Sequence, residues 1–231
     1  MLRTIQYSCC PVCSSTQIQE VLTAKDYTVS EQLFAVWHCQ SCTARFTQQV
    51  PTQEHVGPYY NSAAYISHSN TNKGIINKIY QLVRNYTLRK KLALLQKYTG
   101  LRTGNLLDVG AGIGAFAHTV QQAGWQVTGL EPDATAVANA QTLYGLQLLP
   151  LQQLVTLPPA SFNAITLWHV LEHVHDLHGY MQQFGTVLAP GGVLVIAVPN
   201  YTSADAAYYG AAWAAYDVPR HLYHFSPQSI Q

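Results

Sequence analysis

The stretch Trp168 to His178 reads WHVLEHVHDLH and packs four histidines and two acids into eleven residues. His169, Glu172 and His173 spell H-x-x-E-H, which on a helix offers two imidazoles to a zinc ion and a carboxylate beside them. A second set of ligands lies far upstream: Cys10 and Cys13 in CPVC, then Cys39 and Cys42 in CQSC. Each C-x-x-C makes a tight knuckle that presents two thiolates. Two knuckles some 25 residues apart complete a tetrahedral site of four sulfurs. Such a site is closed to water. Its zinc is expected to be structural, holding together a lobe too small for a core of its own. Cys9 and His38 stand beside these ligands and read as bystanders.

The elements that must position these groups follow from the pattern of apolar residues. Between the knuckles, QIQEVLT and LFAVWHC alternate as short strands do, and the segment resembles a zinc ribbon. A zinc-ribbon-like lobe is expected over residues 1–54. Residues 55–100 read as a linker or lid, HVGPYYNSAAYISHSN, followed by an amphipathic helix over 74–99. Ile75, Ile76, Ile79, Leu82, Val83, Tyr86, Leu92 and Leu95 recur in it at helical spacing, and Gly100 ends it. From 101 to 231 the chain alternates. NLLDVG, WQVTGLE, LQLLP, NAITLWHV and VLVIAVPN read as strands, with helical segments between most of them. Alternating strands and helices imply an α/β fold with a parallel, doubly wound sheet.

Composition narrows the function classes. The chain has 231 residues, 48% of them apolar and only 10% charged, with a formal net charge of +1. So small a basic excess argues against nucleic acid as the partner. No segment approaches the ~18 unbroken apolar residues of a membrane span. The opening MLRTIQYSCC has no apolar h-region, which argues against a signal peptide. The expected compartment is the cytoplasm, where cysteines serve as ligands rather than disulfides. Charge is nevertheless uneven. No acid falls between Glu54 and Asp108, and seven of the twelve Lys and Arg lie between Lys73 and Lys97.

The sharpest functional motif is DVGAGIG, Asp108 to Gly114, placed between a strand and a helix. Glycines there let a ligand approach the backbone, and a helix N-terminus offers free N–H groups. Glu131 follows at the end of the next strand, where a carboxylate can accept both hydroxyls of a ribose. NAD and S-adenosylmethionine both fit an acid on ribose. The spacing G-x-G-x-G, with an acid in front, disfavours a pyrophosphate and suits a cationic ligand bearing an amino group.

At this point the chain resembles the class I S-adenosylmethionine-dependent methyltransferases. Their motifs match DVGAGIG, Glu131 and LAPGGVLVIAVPN. DVPRHLYHFSP, Asp217 to Pro227, resembles a segment of methyltransferases of the methyltransferase domain 23 type, a group that often carries an N-terminal pair of C-x-x-C motifs. The resemblance implies that Asp108, Gly110, Ala111, Gly112 and Gly114 surround the methionine part of the cofactor. It implies that Glu131 takes the ribose, that Leu130, Pro132, Leu151 and Gln152 line the adenine, and that Trp168 and His169 flank the reacting methyl group. Asn163 departs from the family's usual Asp and is expected outside the pocket. The family normally has seven strands and only five are countable here, so the C-terminal strands are expected to be missing from this sequence.

Methyl transfer from a sulfonium is an in-line displacement, so the protein must align the acceptor and exclude water. A base is needed only for an acceptor that is neutral when it attacks. His169, His221 and Asp217 are the catalytic candidates, with His173 and His224 behind them. Tyr59, Tyr60 and Tyr65 are candidates for a lid. The expected partner is a small polar acceptor, a sugar or nucleotide-sugar among the options, with an RNA methyltransferase and a non-catalytic binding protein as rivals. A zinc peptidase is excluded, because H-x-x-E-H here follows an apolar strand and the glycine loop would go unexplained. Metal binding by Glu172 and His173 without hydrolysis stays open, as does the oligomeric state.

Overall fold

The computed structural model describes residues 3–60 and 75–231. In chain order the strands and α-helices are β1 (Thr4–Ile5), β2 (Ile18–Lys25), β3 (Leu33–Cys39), β4 (Arg45–Thr47), β5 (Val50–Pro51), α1 (Ile75–Thr99), β6 (Asn105–Val109), α2 (Ala115–Gln122), β7 (Gln126–Leu130), α3 (Ala134–Tyr144), β8 (Phe162–Trp168), α4 (Leu177–Val187), β9 (Leu188–Ala197), α5 (Ala204–Tyr209) and β10 (Tyr223–His224). Contacts divide the chain into two compact units. One comprises Met1–Ser69, Leu171–His178 and Val198–Gln231; the other comprises Asn70–Val170 and Gly179–Ala197.

The first unit is built on antiparallel strands in the order β10-β4-β3-β2, with β1 pairing β5. β3 begins with the alternation of a sheet with one buried face: Phe34 and Val36 are buried and Leu33 is exposed. Phe34 and Val36 pack with Ala24, Tyr59, Tyr216 and Val218. Tyr223 and His224 pair with Phe46 and Arg45, so the end of the chain extends the sheet that β2 and β3 begin. Sequence reading counts residues 217–231 with the α/β segment, because a pairing over such a separation leaves no local signal.

The second unit is α/β, with parallel strands in the order β7-β6-β8-β9 and helices between them. Leu106, Leu107, Val109, Ala164, Ile165 and Leu167 are fully buried, which explains the unbroken apolar runs of β6 and β8. Leu95 of α1 packs with Leu106, Phe116, Val120, Trp125 and Ala164. Asp133 caps α3 by accepting the N–H of Ala136 at 2.6 Å, and Gly145 ends that helix at φ 66°. The expected strand LQLLP is reduced to one parallel bridge, Leu149 to Leu130. The chain turns at Pro150 into a 3-10 helix over Leu151–Thr156, which ends the ladder after that one bridge. Among the described residues, no helix is long and apolar enough to cross a membrane.

Candidate active site and metal clusters

In the second unit, β6 delivers Asp108 and then turns sharply through the glycine loop into α2. Gly110, Gly112 and Gly114 all hold positive φ, at 67°, 56° and 79°. That backbone is strained for any residue with a side chain. The three glycines differ in what surrounds them. A Cβ on Gly110 would meet Val170 at 2.4 Å, and one on Gly114 would meet Leu146 at 2.8 Å and Ala140 at 3.2 Å. Those two permit close packing. A Cβ on Gly112 would meet nothing within 4 Å, so that turn of the loop faces open space.

Two carboxylates flank the loop. Asp108 is 2% exposed and accepts a hydrogen bond from Thr166 Oγ1 at 2.7 Å. Burial raises its pKa to about 7, although Thr166 and the Lys91 ammonium oppose the rise. A cation arriving here would hold Asp108 ionised. Glu131 accepts the N–H of Gly112 at 2.7 Å and that of Asp133 at 2.9 Å. These bonds fix its carboxylate beside the loop, and burial pushes its pKa up. Leu130 is fully buried at the end of β7, Pro132 is exposed, and Leu151 and Gln152 open the 3-10 helix. At the end of β8, the Trp168 ring meets Phe116 edge-on at 5.4 Å. His169 follows at φ 60°, its N–H donated to Ala197 O at 2.8 Å. Non-glycine residues at positive φ are uncommon, and histidine is among the types that reach that region. Asn163 accepts the N–H of Asn105 at 2.9 Å, at the opposite end of the strands from Asp108.

The first unit holds two clusters of ligand type. Cys10, Cys13, Cys39 and Cys42 bring their sulfurs within 4.8 Å of one another. The closest pairs are Cys13–Cys39 at 3.5 Å and Cys10–Cys42 at 3.6 Å. A disulfide needs about 2.05 Å, whereas a zinc ion at ~2.3 Å from four tetrahedral sulfurs sets them ~3.8 Å apart. The knuckles are two copies of one turn. Ser14 donates its N–H to Cys10 O and Thr43 to Cys39 O, at 2.8 and 2.9 Å. Both residues hold positive φ, at 63° and 64°. Burial raises the Cys39 pKa, but donors from the Cys42 and Ser41 backbone outweigh it and bring the thiol down to about 7. Cys9 and His38 are outside the set of four.

The second cluster is Glu172, His173 and His221, whose ligand atoms also lie within 4.8 Å of one another. Burial and the neighbouring His221 hold the His173 pKa down to about 4, so the ring is neutral near pH 7. Beside it, Arg220 is 1% exposed and fully paired. It donates to both Asp217 oxygens at 2.6 to 3.1 Å, to Asp26 Oδ1 at 3.0 Å and to Tyr59 O at 2.9 Å. Asp217 holds φ 37° and places Oδ2 3.8 Å from His221 Nε2.

Several expectations are corrected by these placements. Tyr59 is 6% exposed within the first unit's core, so it is a packing residue and not part of a lid. Tyr60 Oη lies 3.1 Å from His173 Nδ1, and Tyr65 falls outside the described residues. His224 is 3% exposed, with Nε2 3.0 Å from Thr47 Oγ1 and its ring against Tyr216, so it belongs to the core as well.

A family model described as a methyltransferase domain, the methyltransferase domain 23 type, matches residues 80–231. The chain belongs to this methyltransferase family. A ubiquinone biosynthesis O-methyltransferase from Rhodopseudomonas palustris (strain HaA2) is 30% identical over 129 residues, covering 53% of this chain and 50% of that protein. The enzyme of that name from Xanthomonas euvesicatoria pv. vesicatoria (strain 85-10) is 31% identical over 134 residues, covering 54% and 56%. The chain thus spans about half the length of the curated relatives it matches. Among solved structures, a SAM dependent methyltransferase from Archaeoglobus fulgidus is similar at 18% identity and a TM-score of 0.49, covering 62% of this chain and 65% of that one.

Sequence reading missed Lys91 of the methyltransferase unit. Its Nζ lies 4.1 Å from the Trp168 ring centroid, and burial lowers its pKa while Asp108 raises it. A signal was present. Lys91 follows Leu88 by three residues and precedes Leu95 by four, and both leucines pack into the core of that unit. The face they define therefore carries a lysine. Arg220 and Asp26 were missed for a different reason: 194 residues separate them.

Proposed function

We propose that this chain is an S-adenosylmethionine-dependent methyltransferase that acts on a small polar acceptor. The observation that carries the reading is the pair of buried carboxylates, Asp108 and Glu131, on either side of a glycine loop whose middle glycine faces open space. The residues fit the cofactor. Asp108 suits a cationic amino group, and Glu131, held by two backbone N–H groups, suits a ribose diol. Gly110, Ala111, Gly112 and Gly114 would line the methionine part, and Leu130, Pro132, Leu151 and Gln152 the adenine. Trp168 and His169 would stand nearest the transferred group.

When bound, the cofactor supplies a methyl group on a sulfonium, an electrophile that needs no further activation. The chain's own tasks are orientation, exclusion of water and, for a neutral acceptor, removal of a proton. His169 is the first candidate base and His221 the second. Asp217, committed to Arg220, is proposed as a positioning residue. Relatives named for ubiquinone biosynthesis as O-methyltransferases support an acceptor that attacks the methyl group through oxygen. A sugar or nucleotide-sugar is the alternative small acceptor, and its hydroxyls offer the same chemistry. The four cysteines are proposed to hold a structural zinc ion, on the match of their spacing to tetrahedral thiolate geometry. Residues 1–54 are proposed as zinc lobe, 55–100 as connection and 101–231 as catalytic core, although the segments Leu171–His178 and Val198–Gln231 group with the first unit.

The test is a transfer assay with methyl-labelled cofactor against small phenols, nucleotide-sugars and RNA. Label is expected in a small molecule. Label confined to RNA would overturn the acceptor class, and failure to bind the cofactor in calorimetry would favour a non-catalytic binding protein.

A further inference from the structure

Arg45 and Arg220 both reach into the first unit and differ in their partners. Arg220 is fully buried and meets two carboxylates, Asp217 and Asp26. Arg45, in β4, is half-buried and forms no ion pair among the described residues. Its Cζ stands 4.2 Å from the Tyr201 ring centroid, and its Nη1 donates to Tyr216 Oη at 2.7 Å. Burial raises the pKa of the Tyr216 phenol, although Arg45 opposes the rise, so this partner is neutral. Across the sheet Arg45 pairs with two histidines, His38 of β3 and His224 of β10. Burial, with His221 and Arg45 nearby, holds the His224 pKa well below its ordinary value. A guanidinium keeps its proton, and charge taken out of water is ordinarily paired. Arg220 obeys that rule with carboxylates, and Arg45 is left with neutral partners.

The donors of Arg45 are not all used. Tyr201 takes the face of the guanidinium, which leaves the in-plane N–H groups free to bond. Nη1 is committed to Tyr216, so the remaining edge is the fork of Nε–H and Nη2–H. Nε is buried and has no hydrogen-bond partner among the described residues. Directly across the ladder, His38 Nδ1 is also buried and without a partner among them. Buried polar nitrogens are nearly always bonded, so two orphans on opposed residues mark a place where a partner is missing. Opposed residues of an antiparallel pair hold their Cβ atoms about 4.5–5.5 Å apart, close enough for one small group to meet both side chains. A neutral imidazole can present Nδ1–H there by choice of tautomer. Successive strand residues alternate faces, so His38 and Arg45 share the face of Val36 and not that of Cys39.

We propose that Arg45 and His38 form an oxyanion site on the sheet of the first unit, which takes the carboxylate or phosphate of a small molecule. Two oxygens of one such group match the Nε–H and Nη2–H fork, the bidentate geometry for which arginine is suited. His38 supplies a third donor from the neighbouring strand. The anion brings the counter-charge that Arg220 finds in Asp217 and Asp26 and that Arg45 lacks. The site belongs to a different unit from Asp108 and Glu131 and needs no cofactor, so it goes beyond the methyltransferase reading.

The probes are inorganic phosphate and, in a second arm, acetate. The full chain, labelled with 15N and prepared without chelator, is titrated while the arginine Nε–H resonances are followed by NMR. The Arg45 Nε–H resonance is expected to move to lower field and to saturate with at least one of the two anions. Potassium chloride at equal ionic strength should leave it in place. Tighter binding of phosphate identifies a phosphoryl ligand, and tighter binding of acetate a carboxylate. Arg45→Lys keeps the charge but removes the fork, and should weaken binding about 10-fold or more, as expected for a hydrogen bond to a charged group. No saturable shift with either anion would overturn the proposal and assign the free edge to ordered water. Wild-type affinity in Arg45→Lys would overturn it equally. Should that variant not fold, the wild-type titration decides, with the resonance assigned through bonds. None of these readouts uses the methyl donor, so they fail independently of the methyltransferase reading.

Discussion

The two ligand clusters of the first unit are built in opposite ways. Each half of the cysteine cluster closes within a few residues: Cys10 to Cys13 and Cys39 to Cys42 repeat one turn, with the same backbone bond and a positive φ just after each pair. Glu172, His173 and His221 have no such local frame. Their geometry depends on Arg220, whose guanidinium reaches Asp26 across 194 residues. A cluster held by its own turns is legible from spacing, while one held by tertiary pairing is not.

The largest expected effect breaks the local side of this contrast. Metal binding by a structural four-thiolate site is itself folding free energy. Cys39→Ser should therefore remove zinc and unfold the first unit, seen as lost zinc by elemental analysis and lost amide protection in β2 and β3. The next tests the tertiary side. Removing one partner of a buried ion pair costs about 3–5 kcal/mol, and both Arg220 and Asp26 are about 1% exposed. Asp26→Ala should lower stability by that order in denaturant unfolding, while zinc content stays at wild-type level. If zinc were lost as well, the cysteine cluster would not be held by its own turns alone.

The glycine loop of the methyltransferase unit belongs with the cysteines on the legible side. Its acid, its glycines and Glu131 were readable because a strand, a turn and a helix fix their relation over some twenty residues. The parallel sheet was also readable, from the alternation of strands and helices, although its strand order was not. What could not be read is long-range: the pairing of β10 with β4 and the Arg220–Asp26 lock. Local motifs also over-promised. LQLLP had a strand's composition, yet only Leu149 bridges, because the chain turns into a 3-10 helix from Leu151.

Two further tests sharpen that legible site. Asp108→Ala and Glu131→Ala should each weaken binding of S-adenosylmethionine by about 10- to 100-fold, the worth of a charged hydrogen bond at a buried site. Asp108 also gives a pH signature. Its pKa is about 7 in the folded, cofactor-free protein against 3.8 as the reference value. The folded state therefore holds the proton more tightly. This stabilisation is complete below pH ~4 and is lost as pH rises through ~7. Melting temperatures of cofactor-free protein should fall more steeply over that window for the wild type than for Asp108→Asn. Equal slopes would mean that Asp108 does not titrate there.

The smallest expected effect concerns the one motif departure noted in the sequence. Where the resemblance implies Asp, this chain has Asn163, whose Oδ1 accepts the N–H of Asn105 at the far end of the strands from Asp108. A carboxylate can accept that same bond, and its charge would stand well away from the glycine loop. Asn163→Asp should therefore leave cofactor affinity within about twofold and stability within ~0.5 kcal/mol, as for a substitution that disturbs no packed or paired group. Calorimetry and thermal melts check both. A larger loss of affinity would show that the amino end of β8 communicates with its carboxyl end. The site would then depend on tertiary coupling, as the histidine cluster does, and the glycine loop would no longer belong with the cysteines.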